Sequence, residues 1–146
     1  MAESQGTLWT VNPNARREIA MTETSTFDKL AAYIAGSQEM ALPVEVSEKT
    51  KFHILDTLAA MVTGSRLKPG QAAINFIGSQ GGTPEAAVVG SNVVTTAINA
   101  AMANGMLAHS NETDDSHAPS LTHPGCAVVP AALAMAERQQ ASGEAF

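Results

Sequence analysis

The chain has one cysteine, Cys126, no block of lysine or arginine, and no long uninterrupted apolar run. A lone thiol cannot close a disulfide within the chain, so stability has to come from a packed core, and a reducing cytoplasm agrees with that usage. Lys and Arg number 8 against 14 Asp and Glu, for a formal net charge of −6. Without a basic stripe, neither a phosphate backbone nor an anionic membrane surface finds an electrostatic partner here, which argues against nucleic-acid and membrane-surface binding. The first twenty residues include Trp9, Asn12, Pro13, Arg16, Arg17 and Glu18 and hold no apolar stretch of signal-peptide or membrane-span length. The expectation is a cytoplasmic protein, in which the Asn111-Glu112-Thr113 glycosylation triplet is a chance match.

What is present is enough for one folded domain: 146 residues, 45% of them hydrophobic. Residues 1–24 are polar and aperiodic and read as a disordered or loosely docked tail, within which Met21 is a candidate initiator. From a Ser25 or Thr26 cap, Phe27, Leu30, Ala31 and Ile34 follow one helix face up to Gly36. A second helix is expected over about 47–63, with Ile54, Leu55, Leu58 and Val62 as its apolar stripe and Gly64 as its stop. A third starts near Pro69, carries Ala72, Ala73, Phe76 and Ile77, and ends at Gly78, Gly81 and Gly82. Gly78–Gly82 lacks the Gly-Lys-Ser/Thr ending of a phosphate loop and reads as a terminating turn. Ala86–Val89 reads as extended. Between Val93 and His109, the residues Val94, Ala97, Ile98, Ala101, Met102, Gly105 and Met106 recur at helical spacing among many Ala and Gly, the pattern of a central, closely packed helix. A last helix carries Val128, Ala131, Ala132, Met135 and Ala136, with Pro130 tolerable near its first turn. No repeat and no βαβ alternation occurs, so the fold class is an all-α helical bundle.

Chemistry concentrates in one loop between the last two helices: His109, Asn111, Glu112, Asp114, Asp115, Ser116, His117, Thr122 and His123, with three of the four histidines. A loop held between packed helices can aim side chains at a ligand at little ordering cost. His123 precedes Pro124-Gly125 and a helix start, where backbone N–H groups favour an anion, and imidazole exchanges protons near neutral pH. The plainer reading of His123 is a hydrogen-bonded helix-start histidine. Asp114 and Asp115 orient a histidine or a substrate, or else form a cap and a solvated corner. Ser116 is a carboxylate donor or a turn residue; His117 and His109 read as structural or exposed, and His53 as a flanking helix residue. A metal centre of His109, Asp114, His117 and His123 has suitable ligands in no standard spacing. Cys126 beside His123 is a nucleophile pair or a small packed hydrophobe.

The ordered series Asn104-Gly-Met-Leu-Ala-His109, Asp114-Asp115-Ser116-His117, His123-Pro124-Gly125, Pro130 to Glu137 and Ala141-Ser142-Gly143-Glu144 resembles the MmgE/PrpD family, as do Leu55-Asp56-Thr57-Leu58-Ala59 and Ala87-Val88-Val89-Gly90 upstream. That family includes 2-methylcitrate dehydratase, cis-aconitate decarboxylase and iminodisuccinate epimerase. The resemblance covers about 25–146 and implies the N-terminal part of a helical domain, with a lid domain, a catalytic lysine and a second histidine supplied by chain beyond Phe146. It implies cofactor-free acid/base chemistry on a small di- or tricarboxylate, in a homodimer when complete, and no meaningful turnover from these 146 residues alone. Catalytic roles carry over only to His123, Ser116 and Glu112, with Glu in place of the usual Asp; Asp114, Asp115 and His117 stand beside them as candidate substrate contacts. Two other readings stand beside it: a non-catalytic helical module whose Ile98, Met102 and Met106 face needs a partner, and a metal-binding His/Asp loop.

Overall fold

The computed structural model describes residues 24–37 and 40–146, in two units that divide after Ala41. Met21 and, except for Thr24, the expected tail lie outside the described residues. In the first unit, helix α1 (Thr26–Ser37) begins as a capping box. The Ser25 hydroxyl accepts the Asp28 N–H at 3.1 Å while the Asp28 carboxylate accepts the Ser25 N–H at 3.3 Å, which satisfies two donors at the helix start.

The second unit contains α2 (Val44–Gly64), α3 (Lys68–Gln80), β1 (Ala86–Ala87), β2 (Val94–Thr95), α4 (Ala97–His109) and α5 (Gly125–Gln139). The mostly helical class expected from the pattern is therefore the observed one. A small antiparallel ladder is added, with Ala86 opposite Thr95 and Ala87 opposite Val94.

Helix α4 packs against α2, α3 and α5 and forms the centre of the unit. It starts at Ala97 rather than at Val93, because β2 takes Val94 and Thr95 and the Thr96 hydroxyl then accepts the Asn99 N–H as a cap. Its buried face is Ala97, Ala100, Ala103, Asn104, Leu107 and Ala108, whereas Ile98, Met102 and Met106 face outward. Small side chains decide this orientation, because they let the helices approach closely. A Cβ on Gly64 would overlap the Leu107 carbonyl, and one on Gly105 would stand 2.9 Å from the Cys126 carbonyl oxygen. The interface of α2 accordingly runs along Thr57, Ala60, Met61 and Gly64 instead of the expected stripe; Ile54 and Leu58 are partly buried, but Leu55 and Val62 are exposed.

Three punctuation signals act differently from expectation. Gly64 is the last residue of α2 and is followed by a right-handed Ser65, so it is a contact glycine rather than a left-handed stop. Helix α3 runs through Gly78 to Gln80 and ends at Gly81, whose φ of 64° a side chain would strain; Ala73 and Ile77 are buried as expected, and Phe76 is exposed. Pro130 is buried inside α5 rather than in its first turn. Proline has no N–H to give the carbonyl four residues back, here Cys126, and that is the carbonyl facing Gly105. On α5, Val129, Pro130 and Ala134 are buried, while Val128 and Met135 are exposed.

One buried polar residue ties the hairpin to the bundle. The Asn104 amide accepts the Val89 N–H at 2.9 Å and donates to the Ala87 carbonyl at 3.0 Å, satisfying two backbone groups that the short ladder leaves free. Among the described residues no helix is long and apolar enough to cross a membrane.

Candidate active site

The loop from His109 to Gly125 joins the end of α4 to the start of α5, and its fold follows from a few polar bonds. The Glu112 N–H reaches the His109 carbonyl at 3.4 Å, and Glu112 takes a left-handed φ of 52°. The Asn111 amide donates to the Thr63 hydroxyl of α2 at 3.2 Å. Further on, the His117 N–H donates to the Thr122 carbonyl at 2.9 Å, closing a tight turn. Within it, the His117 ring and the Ser120 hydroxyl are 2.6 Å apart.

The two aspartates have different surroundings. Asp115 accepts the Gly125 N–H at 2.8 Å through Oδ1, so the anion at the start of α5 is the protein's own carboxylate. A Cβ on Gly125 would overlap both Asp115 Oδ1 and the Thr57 hydroxyl, which makes glycine a requirement of this junction. Asp114 is no solvated corner: its side chain has 0% exposure. Its Oδ2 lies 2.9 Å from His109 Nδ1, and its Oδ1 lies 3.8 Å from His123 Nδ1 and has no hydrogen-bond partner among the described residues.

His123 Nδ1 lies 2.7 Å from the Asp115 carbonyl oxygen. A carbonyl only accepts, so Nδ1 carries the proton and the neutral ring keeps its lone pair on Nε2. The rings of His109 and His123 have centroids 5.4 Å apart, with their planes tilted by 53°. The result is a buried carboxylate between two partly exposed imidazoles. The hydrogen bond to Asp114, and then its charge, raise the His109 pKa above 6.5; burial opposes this, and Glu112 adds to it. At Asp114, burial pushes the pKa upward, but the hydrogen bond and charge of His109, together with the neighbouring Cys126 thiol, outweigh it, leaving the carboxyl below 3.8.

These directions set a pH window. The raised His109 contributes stability below 6.5 that is lost as pH rises through its folded value, and the lowered Asp114 contributes stability above 3.8 that is lost as pH falls through its own. Urea titrations should therefore show stability declining as pH climbs above 6.5, and Asp114→Asn should flatten that decline.

Burial is the main cause that raises the Cys126 thiol, followed by the proximity and charge of Asp114, and its S–H donates to the His123 carbonyl at 3.1 Å. The thiol is thus held protonated, which leaves the small-hydrophobe reading over the nucleophile pair. The four residues considered for a metal are not all brought together: His117 stands apart from His109, Asp114 and His123. Ligand atoms of His109, Asp114 and Cys126 lie within 4.8 Å of one another, while His117 belongs to its own turn. An ion there would have to displace the proton between His109 and Asp114 and ionise a thiol that burial keeps neutral, so the residues fit a hydrogen-bonded cluster better than a metal centre.

A cavity of about 780 Å³ lies between α2 and the start of α5, and its wall includes His53, Asp56, Asp115, Ser116 and His117. The structure thus splits the candidate residues. Ser116, His117 and Asp115 border the cavity, His123 and Asp114 form the imidazole cluster with His109, and Glu112 is exposed on the turn beside it. His109, which outside the metal set reads from sequence as structural or exposed, is the close partner of Asp114; its five-residue spacing from Asp114 crosses a helix end, so no helical periodicity marks it. His53, a flanking helix residue by its sequence, also lies on the cavity wall.

A helical domain built around a central Ala/Gly-rich helix, with paired imidazoles on a buried carboxylate at the junction to the next helix, is the class of protein defined here. The family model described as the MmgE/PrpD N-terminal domain matches residues 28–146. The chain belongs to the MmgE/PrpD family, an enzyme-associated family of dehydratase-like proteins. No curated protein and no solved structure matched.

Proposed function

We propose that this chain supplies the acid/base and carboxylate-positioning groups of a cofactor-free lyase or isomerase acting on a small di- or tricarboxylate, with dehydration as the leading reaction. The observation that carries the reading is the state of His123: Nδ1–H is held by the Asp115 carbonyl at 2.7 Å. Nε2 is therefore the basic atom of a partly exposed ring beside a buried carboxylate. A proton next to a substrate carboxylate is weakly acidic, and a fixed imidazole base is the group that removes it near neutral pH. The Ser116 hydroxyl at the cavity rim donates to a substrate carboxylate, and Asp115 and His117 beside it shape that contact. Glu112, one methylene longer than the aspartate the resemblance leads one to expect, adjusts the reach of the site on the His109 side.

The test uses the protein expressed from its full open reading frame. In D₂O, proton NMR of citrate, 2-methylcitrate, cis-aconitate and iminodisuccinate should show deuterium entering the carbon beside a carboxylate of at least one of them, with conversion to product. No exchange and no conversion across the panel would remove the reading. A second reading, a helical module completed by a partner such as a second copy, is favoured by the outward Ile98, Met102 and Met106 of α4. Light scattering decides it: a monodisperse monomer that unfolds cooperatively would count against that module.

A further inference from the structure

The role proposed for His123 leaves His109 without a task, although its surroundings are those of a proton donor. Asp114 is buried, and an ionised carboxylate out of water needs a cation or strong donors close by. Its neighbours on the two sides are imidazoles. His109 makes the short bond, 2.9 Å to Oδ2, whereas His123 stands 3.8 Å from Oδ1 and gives its Nδ1–H to the Asp115 carbonyl instead. The carboxylate therefore favours the cationic form of His109 first, and the direction of the His109 shift agrees. Two like groups with different partners divide into an acid and a base.

We propose that His109 is a second catalytic residue of this site, the acid that protonates a departing hydroxyl while His123 removes the proton from the neighbouring carbon of a β-hydroxy carboxylate. The inference rests on the acid/base reading of His123. Both side chains are part exposed, at 48% and 39%, and with ring centroids 5.4 Å apart the two imidazoles are close enough to serve neighbouring carbons of one small substrate. His123 Nε2 takes the proton from carbon, and the electron pair of the C–H bond passes into the adjacent carboxylate as an enolate, from which it returns to form the C=C bond as the hydroxyl departs. The C–O bond breaks with its pair on oxygen, which takes the Nε2 proton of His109 and leaves as water. His109 ends neutral and His123 cationic, and exchange with solvent restores both. The other ionisable groups about the rings are Glu112, Asp115 and the Cys126 thiol of α5; α2 places His53 and Asp56 across the cavity from Asp115, and α4 carries no ionisable side chain besides His109.

The discriminating variant is His109→Asn in the protein expressed from its full open reading frame. The Asn amide nitrogen takes the place of Nδ1 and still donates to Asp114, but it has no acidic proton to give. With 2-methylcitrate or citrate in D₂O, alkene formation should fall by about 10²-fold or more, while deuterium exchange at carbon stays within a few-fold of wild type. In parallel, the His109 ring signal should titrate at lower pH in Asp114→Asn. Equal loss of exchange and elimination, no loss of either, or an unmoved His109 titration overturns the proposal. Wild-type protein that neither exchanges nor eliminates sinks the acid/base reading itself, and this inference with it. If the Asn variant does not fold by circular dichroism, His109→Gln with the same readouts decides.

Discussion

Replacing His123 with alanine in the protein expressed from its full open reading frame is expected to lower turnover by about 10²- to 10⁴-fold, the usual contribution of a positioned general base. The fold should survive. The substitution deletes one part-buried hydrogen bond, Nδ1 to the Asp115 carbonyl, which costs on the order of 1 kcal/mol. Asp114 keeps its 2.9 Å bond to His109, so no buried charge is stranded. The two readouts are steady-state rates and a thermal melt. Unchanged turnover would take His123 out of the mechanism, and a collapsed melt would make it a structural helix-start residue, the plainer alternative its position before Pro124-Gly125 allows.

A valine at Gly64 is expected to abolish cooperative folding. A Cβ there overlaps the Leu107 carbonyl oxygen, and Gly64's own carbonyl is already so close to Gly70 that a Cβ on Gly70 would overlap it. The obstruction is a Cβ, fixed in place by its own backbone, against the Leu107 backbone, which rotamer changes cannot relieve. To make room, α2 and α4 would have to separate along Thr57, Ala60 and Met61 on one side and Ala103, Leu107 and Ala108 on the other, all of them buried. Overpacking costs about 1 to 3 kcal/mol where side chains can move, and more where they cannot, against a typical domain stability of roughly 5 to 15 kcal/mol. Far-UV circular dichroism during urea titration checks this. A cooperative transition near the wild-type midpoint would show that the two helices are not held at this distance by Gly64.

Much of this molecule could be read along the chain. Helical class, helix order and the chemical loop follow from periodicity, caps and the clustering of histidines between two apolar segments. The Ser25/Asp28 capping box lies where residue type and spacing put it. Which face of each helix is buried is less legible. The exposed large apolar residues, among them Ile98, Met102, Phe76 and Val128, suggest one set of faces, but the buried faces are rich in glycine, alanine and threonine, with Met61, Ile77, Leu107 and Val129 among them. A hydrophobicity pattern weights side-chain size, whereas these helices pack through backbone proximity, and closeness to a partner backbone leaves no periodic mark of its own.

The site divides the same way. Local sequence determined that His109, Asp114, Asp115, Ser116 and His123 share one loop between helices, that imidazoles and carboxylates would meet there, and that the family is MmgE/PrpD. Only the tertiary structure decided that Asp114 is buried and Asp115 caps α5, that Asp114 takes His109 as its close partner at 2.9 Å, and that Cys126 stays a protonated thiol. The reason is dielectric. A carboxylate's chemistry depends on whether water reaches it, and that is set by the helix ends that close over it, not by the residues beside it in the chain.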